Sequence, residues 1–118
     1  EHWTSAAEQG AAAARNALHP DAAKPYSTVP YFWSDWYDSR IQFVGITDSD
    51  EVALVEGDIT IPGKWVALYR KGDILVGALT VNGQADIMKY RGLVLKKTLW
   101  SAALEFAEKR KALTAART

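Results

Sequence analysis

The sequence contains no cysteine. Disulfides, thiolate metal sites, CxxC redox pairs and cysteine nucleophiles are excluded together, so the chain cannot by itself be a dithiol oxidoreductase. It also lacks an excess of charge: Lys+Arg and Asp+Glu number 14 each, and the formal net charge is zero. A protein dedicated to nucleic acid needs a basic surplus to neutralise phosphates, so no nucleic-acid partner is expected. No apolar run approaches the ~18 residues of a membrane-spanning helix, so no membrane partner is expected either. Histidine is scarce, with 2 in the chain. Neither His2 nor His19 stands in HExxH or comparable ligand spacing, and no metal site is assigned. GxGxxG, P-loop and nucleophile-elbow patterns are missing as well, so no catalytic residue is assigned. The opening Glu1-His2-Trp3-Thr4 has neither the charged start nor the apolar run of a signal peptide. It has no initiator methionine, which reads as an excised fragment or a processed chain, and the cytoplasm is the simplest compartment.

What is present fits one domain of 118 residues with segments at each end of different character. Residues 1–19 read as a helix. Ser5 and Glu8 have capping-box spacing, the alanines at 6, 7 and 11–14 favour helix, and His19-Pro20 ends it. Between Trp3 and Leu18 this helix has no large apolar side chain, so burial would contribute little to it. It reads as a helix whose proper neighbour is absent; the alternative is an alanine-rich helix lying on the local sheet. Residues 20–30, with Pro20, Pro25 and Pro30, are a linker.

From Tyr31 the apolar period becomes two. Strands are expected over 31–37, 40–46, 51–56, 64–70 and 73–81, the last two joined at Lys71-Gly72. Ile41 and Phe43 fall on one face of the second strand, Gln42 and Val44 on the other. The last two strands are apolar on both faces, which predicts a central pair covered on both sides. From Asn82, a plausible N-cap, the period returns to 3.6, and the tail over 105–118 is expected to fray at its end. The expected fold is α+β: about five antiparallel strands with one or two C-terminal helices packed on them, plus the N-terminal helix and its proline-containing linker.

The densest chemistry is aromatic. Tyr31, Phe32, Trp33, Trp36 and Tyr37 lie within seven positions. Such rings fill a small core, and those left outward mark an interface. Stacking on single-stranded nucleic acid would need flanking basic residues, and only Lys24 and Arg40 are near. Asp35 and Asp38 could serve acid–base chemistry, but a Ser-Asp pair ending a strand more often makes turn hydrogen bonds.

Three stretches resemble one family. Val29-Pro30-Tyr31-Phe32-Trp33-Ser34-Asp35-Trp36-Tyr37-Asp38, followed by Arg40-Ile41-Gln42-Phe43-Val44-Gly45, is similar to the P-x-F-W-S-D-Q-Y…L-Q-x-V-G signature opening the C-terminal domain of FAD-dependent NAD(P)H:ferredoxin or rubredoxin reductases. Glu1-His2-Trp3-Thr4-Ser5-Ala6-Ala7-Glu8-Gln9-Gly10 resembles the E-x-W-x-N-A-x-x-Q-G segment ending that family's FAD domain, and Val81-Asn82, Asp86-Ile87-Met88 and Arg91 resemble its V-N-x-P-x-D-F-M…R run. The likeness covers roughly residues 1–95. Ser5 stands where the family has Asn, and Trp36 where it has Gln.

The resemblance implies that residues 1–19 are the tail of an absent FAD domain and 31–118 the third domain of an electron-transfer flavoprotein. The parent would be the enzyme and the fragment alone would not be catalytic. FAD and NAD(P)H would be bound in the full-length parent and neither in this fragment. Glu1, His2, Trp3 and Trp33 would lie on the cofactor side, with Trp3 beside the isoalloxazine and Trp33 where the acceptor docks. The implied partners are the FAD and NAD domains of the same parent chain and a ferredoxin or rubredoxin, with a homodimer of the fragment as a further expectation. The competing expectation is a standalone protein-interaction or dimerisation module of the same fold without redox activity.

Overall fold

The computed structural model of the protein describes residues 3–26 and 28–116. Along the chain come helix α1 (Trp3–Leu18), a short 3-10 turn (Pro20–Ala22), and strands β1 (Tyr31–Trp36), β2 (Ser39–Gly45), β3 (Glu51–Glu56), β4 (Trp65–Lys71) and β5 (Ile74–Val81). Helices α2 (Gln84–Leu95) and α3 (Trp100–Ala116) follow. The strands form one antiparallel sheet in the order β1-β2-β5-β4-β3. The expected α+β architecture is the observed one, and the expected strands differ from these only at their ends.

The sheet is amphipathic with respect to the helices. Gln42 and Val44 of β2 stand opposite Thr80 and Ala78 of β5, which in turn stand opposite Val66 and Leu68 of β4. This row, with Leu75, is buried under Ile87 and Tyr90 of α2 and Ala103 and Ala107 of α3. A bulge beside Tyr69 and Arg70 shifts the register by one, and Leu75 thereby joins the buried row. Tyr90 meets Phe106 edge-on, with centroids 5.3 Å apart, and burial pushes the Tyr90 hydroxyl pKa up.

The opposite face carries Ile41, Phe43, Ala67, Tyr69, Leu79 and Val81. Here the expectation of a central pair covered on both sides fails: the helices lie on one face only. Phe43 is nonetheless buried, because Phe32 and Tyr69 close around it at 5.9 and 5.3 Å. Large rings shield one another in the plane of the sheet, which is how strands apolar on both faces persist with one layer of helices.

Asn82 is a second correction. It takes φ +56°, and the residue at the N-cap of α2 is Gly83. The Asn82 side chain accepts from the Arg40 amide at 3.0 Å, and the Asn82 amide donates to the Arg40 carbonyl at 2.9 Å. Asparagine tolerates the left-handed region, and here it closes β2 against the end of β5.

The tail is helical as far as Ala116 and charge anchors it; the end, where fraying is expected, lies outside the described residues. Asp86, only 1% exposed, sits in the first turn of α2. Arg110 of α3 donates to it through Nε at 2.9 Å, and Lys64 donates from the other side. Lys64 also reaches Glu56 at 3.2 Å and Thr114 at 3.2 Å. Two carboxylates and two cations thus form a closed, neutral group joining β3, the start of β4, α2 and α3. Gly57 makes the approach possible: with φ +95°, it occupies a position where a Cβ would lie 2.4 Å from the Lys64 carbonyl oxygen. Burial works against the Asp86 charge, but the hydrogen bonds from Lys64 and Arg110 outweigh it and hold the carboxyl below its usual range.

Removing one partner of such a group leaves the other charges buried and unpaired, so Asp86→Ala should lower unfolding free energy by about 3–5 kcal/mol. The folded-state pKa of Asp86 is depressed. Its contribution is therefore complete above the unfolded pKa and is lost as pH falls through the folded one. Urea midpoints followed from pH 7 into acid, with Asp86→Asn as the reference, measure both effects. A variant with wild-type midpoints would remove the anchoring role.

Candidate functional site

Trp33 is on β1, paired with Gln42, and so on the helix-bearing side of the sheet. Tyr31, two residues earlier on the same face, stacks beside it with centroids 5.7 Å apart and planes at 27°. Trp3, in the first turn of α1, meets Trp33 edge-on at 6.2 Å and 67°. The fold therefore joins the two tryptophans singled out in the sequence, although about thirty residues separate them. The rings are open to contact: Trp3 is 73% and Trp33 38% exposed. Among the described residues the first turn of α1 carries no acidic side chain, and the positive end of the helix dipole lies there. Glu1 and His2 lie outside the described residues. The corner offers apolar π surface beside a helix N-terminus, which suits a flat, electron-accepting ring system better than it suits hydrolytic chemistry.

A polar layer supports the corner from below. The Gln42 side-chain amide donates to the Tyr31 hydroxyl at 2.9 Å. On its other side Gln42 Oε1 and its cross-strand neighbour Thr80 Oγ1 are buried without a hydrogen-bond partner among the described residues.

The helix that carries Trp3 makes few contacts of its own. None of the α1 residues is buried, in keeping with its alanine content. The expected capping box is not made. Ser5 lies inside the helix and accepts from Gln9 at 2.7 Å, while Glu8 turns to Arg91 of α2 at 3.0 Å. The Arg91 hydrogen bond holds the Glu8 carboxyl below its ordinary range. Asn16 clamps the linker, donating to the Lys24 carbonyl at 2.8 Å and accepting from the Lys24 amide at 3.0 Å. Between helix and linker runs an open groove of about 560 Å³ lined by Glu8, Arg15, Asn16, His19, Lys24 and Tyr26 among others.

The other marked residues divide cleanly. Asp35 pairs with Arg40 across the β1-β2 hairpin at 2.7 Å, and that hydrogen bond lowers its pKa. Its role is the turn role. Tyr37 takes φ +54° at the hairpin tip and is fully exposed. Trp36 is 60% exposed on the face away from the helices, apart from the Trp3–Trp33 corner. Among the described residues no group of His, Asp and Glu is arranged to hold a metal ion, and no helix is long and apolar enough to cross a membrane. Arg91 is the residue whose weight the sequence concealed. It stood in the reading only as the last letter of a motif, because its partners Glu8 and Val29 are 83 and 62 residues away.

The family described as "Reductase C-terminal" matches residues 31–116. The ferredoxin–NAD(+) reductase component of an anthranilate 1,2-dioxygenase system from Burkholderia cepacia is 36% identical over 95 residues, covering 80% of this chain and 23% of that protein. Human apoptosis-inducing factor 3 is 33% identical over 88 residues, covering 75% of this chain and 14% of that one. Among solved structures, the ferredoxin reductase for the CYP199A2 system of Rhodopseudomonas palustris superposes with a TM-score of 0.57 at 37% identity, over 65% of this chain and 19% of that one. The chain thus spans less than a quarter of the length of these relatives. The matched span reaches 116, beyond the resemblance visible by eye.

Tyr31→Phe keeps the stacked ring and removes the oxygen that accepts from Gln42. It should cost about 1 kcal/mol or somewhat more, since a buried amide loses its partner. Thr80→Val, which deletes a buried hydroxyl already unpaired, should be neutral or stabilising. Denaturant titration of the two variants side by side checks the contrast, and equal losses would contradict it.

Proposed function

We propose, from the premise that this chain belongs to the reductase C-terminal family, that it is the third domain of a flavin-dependent ferredoxin reductase. In this reading the parent passes electrons from NAD(P)H through FAD to an iron–sulfur ferredoxin or a rubredoxin. The third domain closes the flavin site and helps to dock the acceptor. The observation that carries the reading is the meeting of Trp3 and Trp33, exposed and edge-on, at the start of α1. The ferredoxin reductases among the relatives lend it their context.

The residues present fit an edge of a flavin and no more. The chain has no phosphate-binding glycine motif, so the pyrophosphate and ribityl parts of FAD belong to other domains. Trp3 is the side chain that would cover the isoalloxazine edge, and Glu1 and His2, which precede it in the sequence, would join it at the cofactor. The N-terminus of α1 would favour negative charge on the ring. When bound, FAD supplies the conversion of a two-electron hydride donor to one-electron delivery. Trp33, behind Trp3 on the sheet, is placed to meet an acceptor and to keep water from the corner. Trp36 replaces a polar family position and enlarges the apolar rim beyond the hairpin. In this reading the FAD and NAD domains of the same parent chain are its partners besides the acceptor. The compartment of this reading is the cytoplasm.

The natural gene product tests the reading directly. A product much longer than 118 residues with flavin absorbance sustains it, and a colourless product removes it. In that flavoprotein, Trp33→Ala should lower kcat/KM for ferredoxin about thirtyfold more than for ferricyanide, since a hot-spot interface tryptophan is commonly worth about 2 kcal/mol or more. Equal losses toward both oxidants would take Trp33 out of acceptor docking.

A further inference from the structure

Arg91 lies in the middle of α2 and is partly buried, with a side chain 24% exposed. Its guanidinium forks onto one backbone oxygen: Nε and an Nη both donate to the Val29 carbonyl, at 3.1 and 2.8 Å. Val29 is the buried linker residue two positions before β1. The same Nη donates to Glu8 Oε1 of α1 at 3.0 Å and lies 3.4 Å from Thr28 Oγ1. The guanidinium carbon sits 6.0 Å from the centroid of the Tyr31 ring, at the outer limit of a cation–π contact. One side chain therefore touches α1, the linker and β1 from a base on α2.

These contacts close a loop with the aromatic corner. Arg91 meets Tyr31, Tyr31 stacks on Trp33, Trp33 meets Trp3, and five residues of α1 lead from Trp3 back to Glu8. The helix is thus held to the sheet domain at two points, Trp3 and Glu8. A helix with no buried residue takes its direction from these two points and from the Asn16 clamp on the linker near its other end, and the two points on the sheet domain define the angle between them.

We propose that Arg91 is a positioning residue: through Glu8 and the Val29 carbonyl it sets the angle at which α1 leaves the sheet, and so places Trp3 against Trp33. Its consequence for electron transfer rests on the reading of the corner as a flavin edge; its effect on the corner itself does not. Lysine cannot take the role, because a single ammonium cannot reproduce the planar fork that reaches Val29 and Glu8 together.

The test uses the 118-residue chain labelled with fluorotryptophan and followed by fluorine NMR. Trp3→Phe and Trp33→Phe assign the two corner resonances, and Trp65 and Trp100 report the sheet and helices. In Arg91→Met and Arg91→Lys, the Trp3 resonance should lose roughly all of the shift it takes from Trp33 and the Trp33 resonance the part it takes from Trp3, while Trp33 keeps the part from Tyr31 and the resonances of Trp65 and Trp100 stay in place. Unmoved corner resonances in a folded Arg91→Met chain, even one of lower melting temperature, would reduce Arg91 to a structural contact and overturn the proposal. Should Arg91→Met fail to fold, all four resonances collapse together and Glu8→Gln decides. That variant removes charge at a partly exposed site and should still displace the Trp3 resonance, and an unmoved Trp3 then overturns the proposal. Flavin in the natural product is read separately. A colourless product would remove the redox reading and leave the fluorine result standing, whereas a flavoprotein with unmoved corner resonances would do the reverse.

Discussion

The helical layer of this domain depends on one buried carboxylate. α3 buries only Ala103 and Ala107 completely, and two alanines supply little apolar area to hold a seventeen-residue helix. Trp100 and Phe106 add partial contacts. The rest of the attachment is ionic: Arg110 reaches the Asp86 carboxylate, and Thr114 one turn later meets Lys64. Asp86 also lies where α2 begins, over the β4-β5 centre of the sheet. Without it, Lys64 and Arg110 would be like charges brought together in a poorly solvated place, and α3 would be repelled from the position it now occupies. The sheet can form from its own register and α2 lies on it through Ile87 and Tyr90, but α3 is tied to both by that anion.

Most of the sheet was legible because the information is local. Alternation assigned Ile41 and Phe43 to one face and Gln42 and Val44 to the other, and the pairing with Thr80 and Ala78 follows that assignment. Lys71-Gly72 marked its hairpin, and Gly72 takes φ +60° there. Two of the misreadings share a cause. Asn82 and Glu8 were each given their nearest chemically sensible partner, while each has a partner far along the chain: Arg40 and Arg91 respectively. A capping box and an N-cap are short-range motifs, and they lose when a long-range acceptor is better placed. The covering of both faces of β4 and β5 was inferred from hydrophobicity alone. Hydrophobicity cannot tell a covering helix from rings that shelter one another.

The candidate site divides along the same line. That Trp3 and Trp33 belong together could be read only from a family pattern, since nothing in their spacing brings residue 3 to residue 33. The fold joins them through the T-shaped contact. Trp36, one turn of hairpin away, is not part of that corner. Its side chain faces the other side of the sheet because the strand period puts positions 33 and 36 on opposite faces. The aromatic signature is therefore two surfaces rather than one, with Tyr31 and Trp33 beside the helices and Phe32 and Trp36 beneath.

The two ionic groups differ in what they permit. The Asp86 group is desolvated, and breaking it leaves charge stranded, at a cost of about 3–5 kcal/mol. The Glu8–Arg91 pair keeps water on both partners, with side chains 34% and 24% exposed, and a pair of that kind is commonly worth no more than ~1 kcal/mol. The edge-on tryptophan contact adds a comparable amount. So α1 can leave the sheet at a cost of about 2 kcal/mol, far less than disrupting the anchored helices requires. A rigid layer built on Asp86 carries a lightly held arm built on Glu8, and Trp3 rides on the arm. The geometry of the corner is therefore softer than the helical layer behind it and more readily set by whatever else binds there.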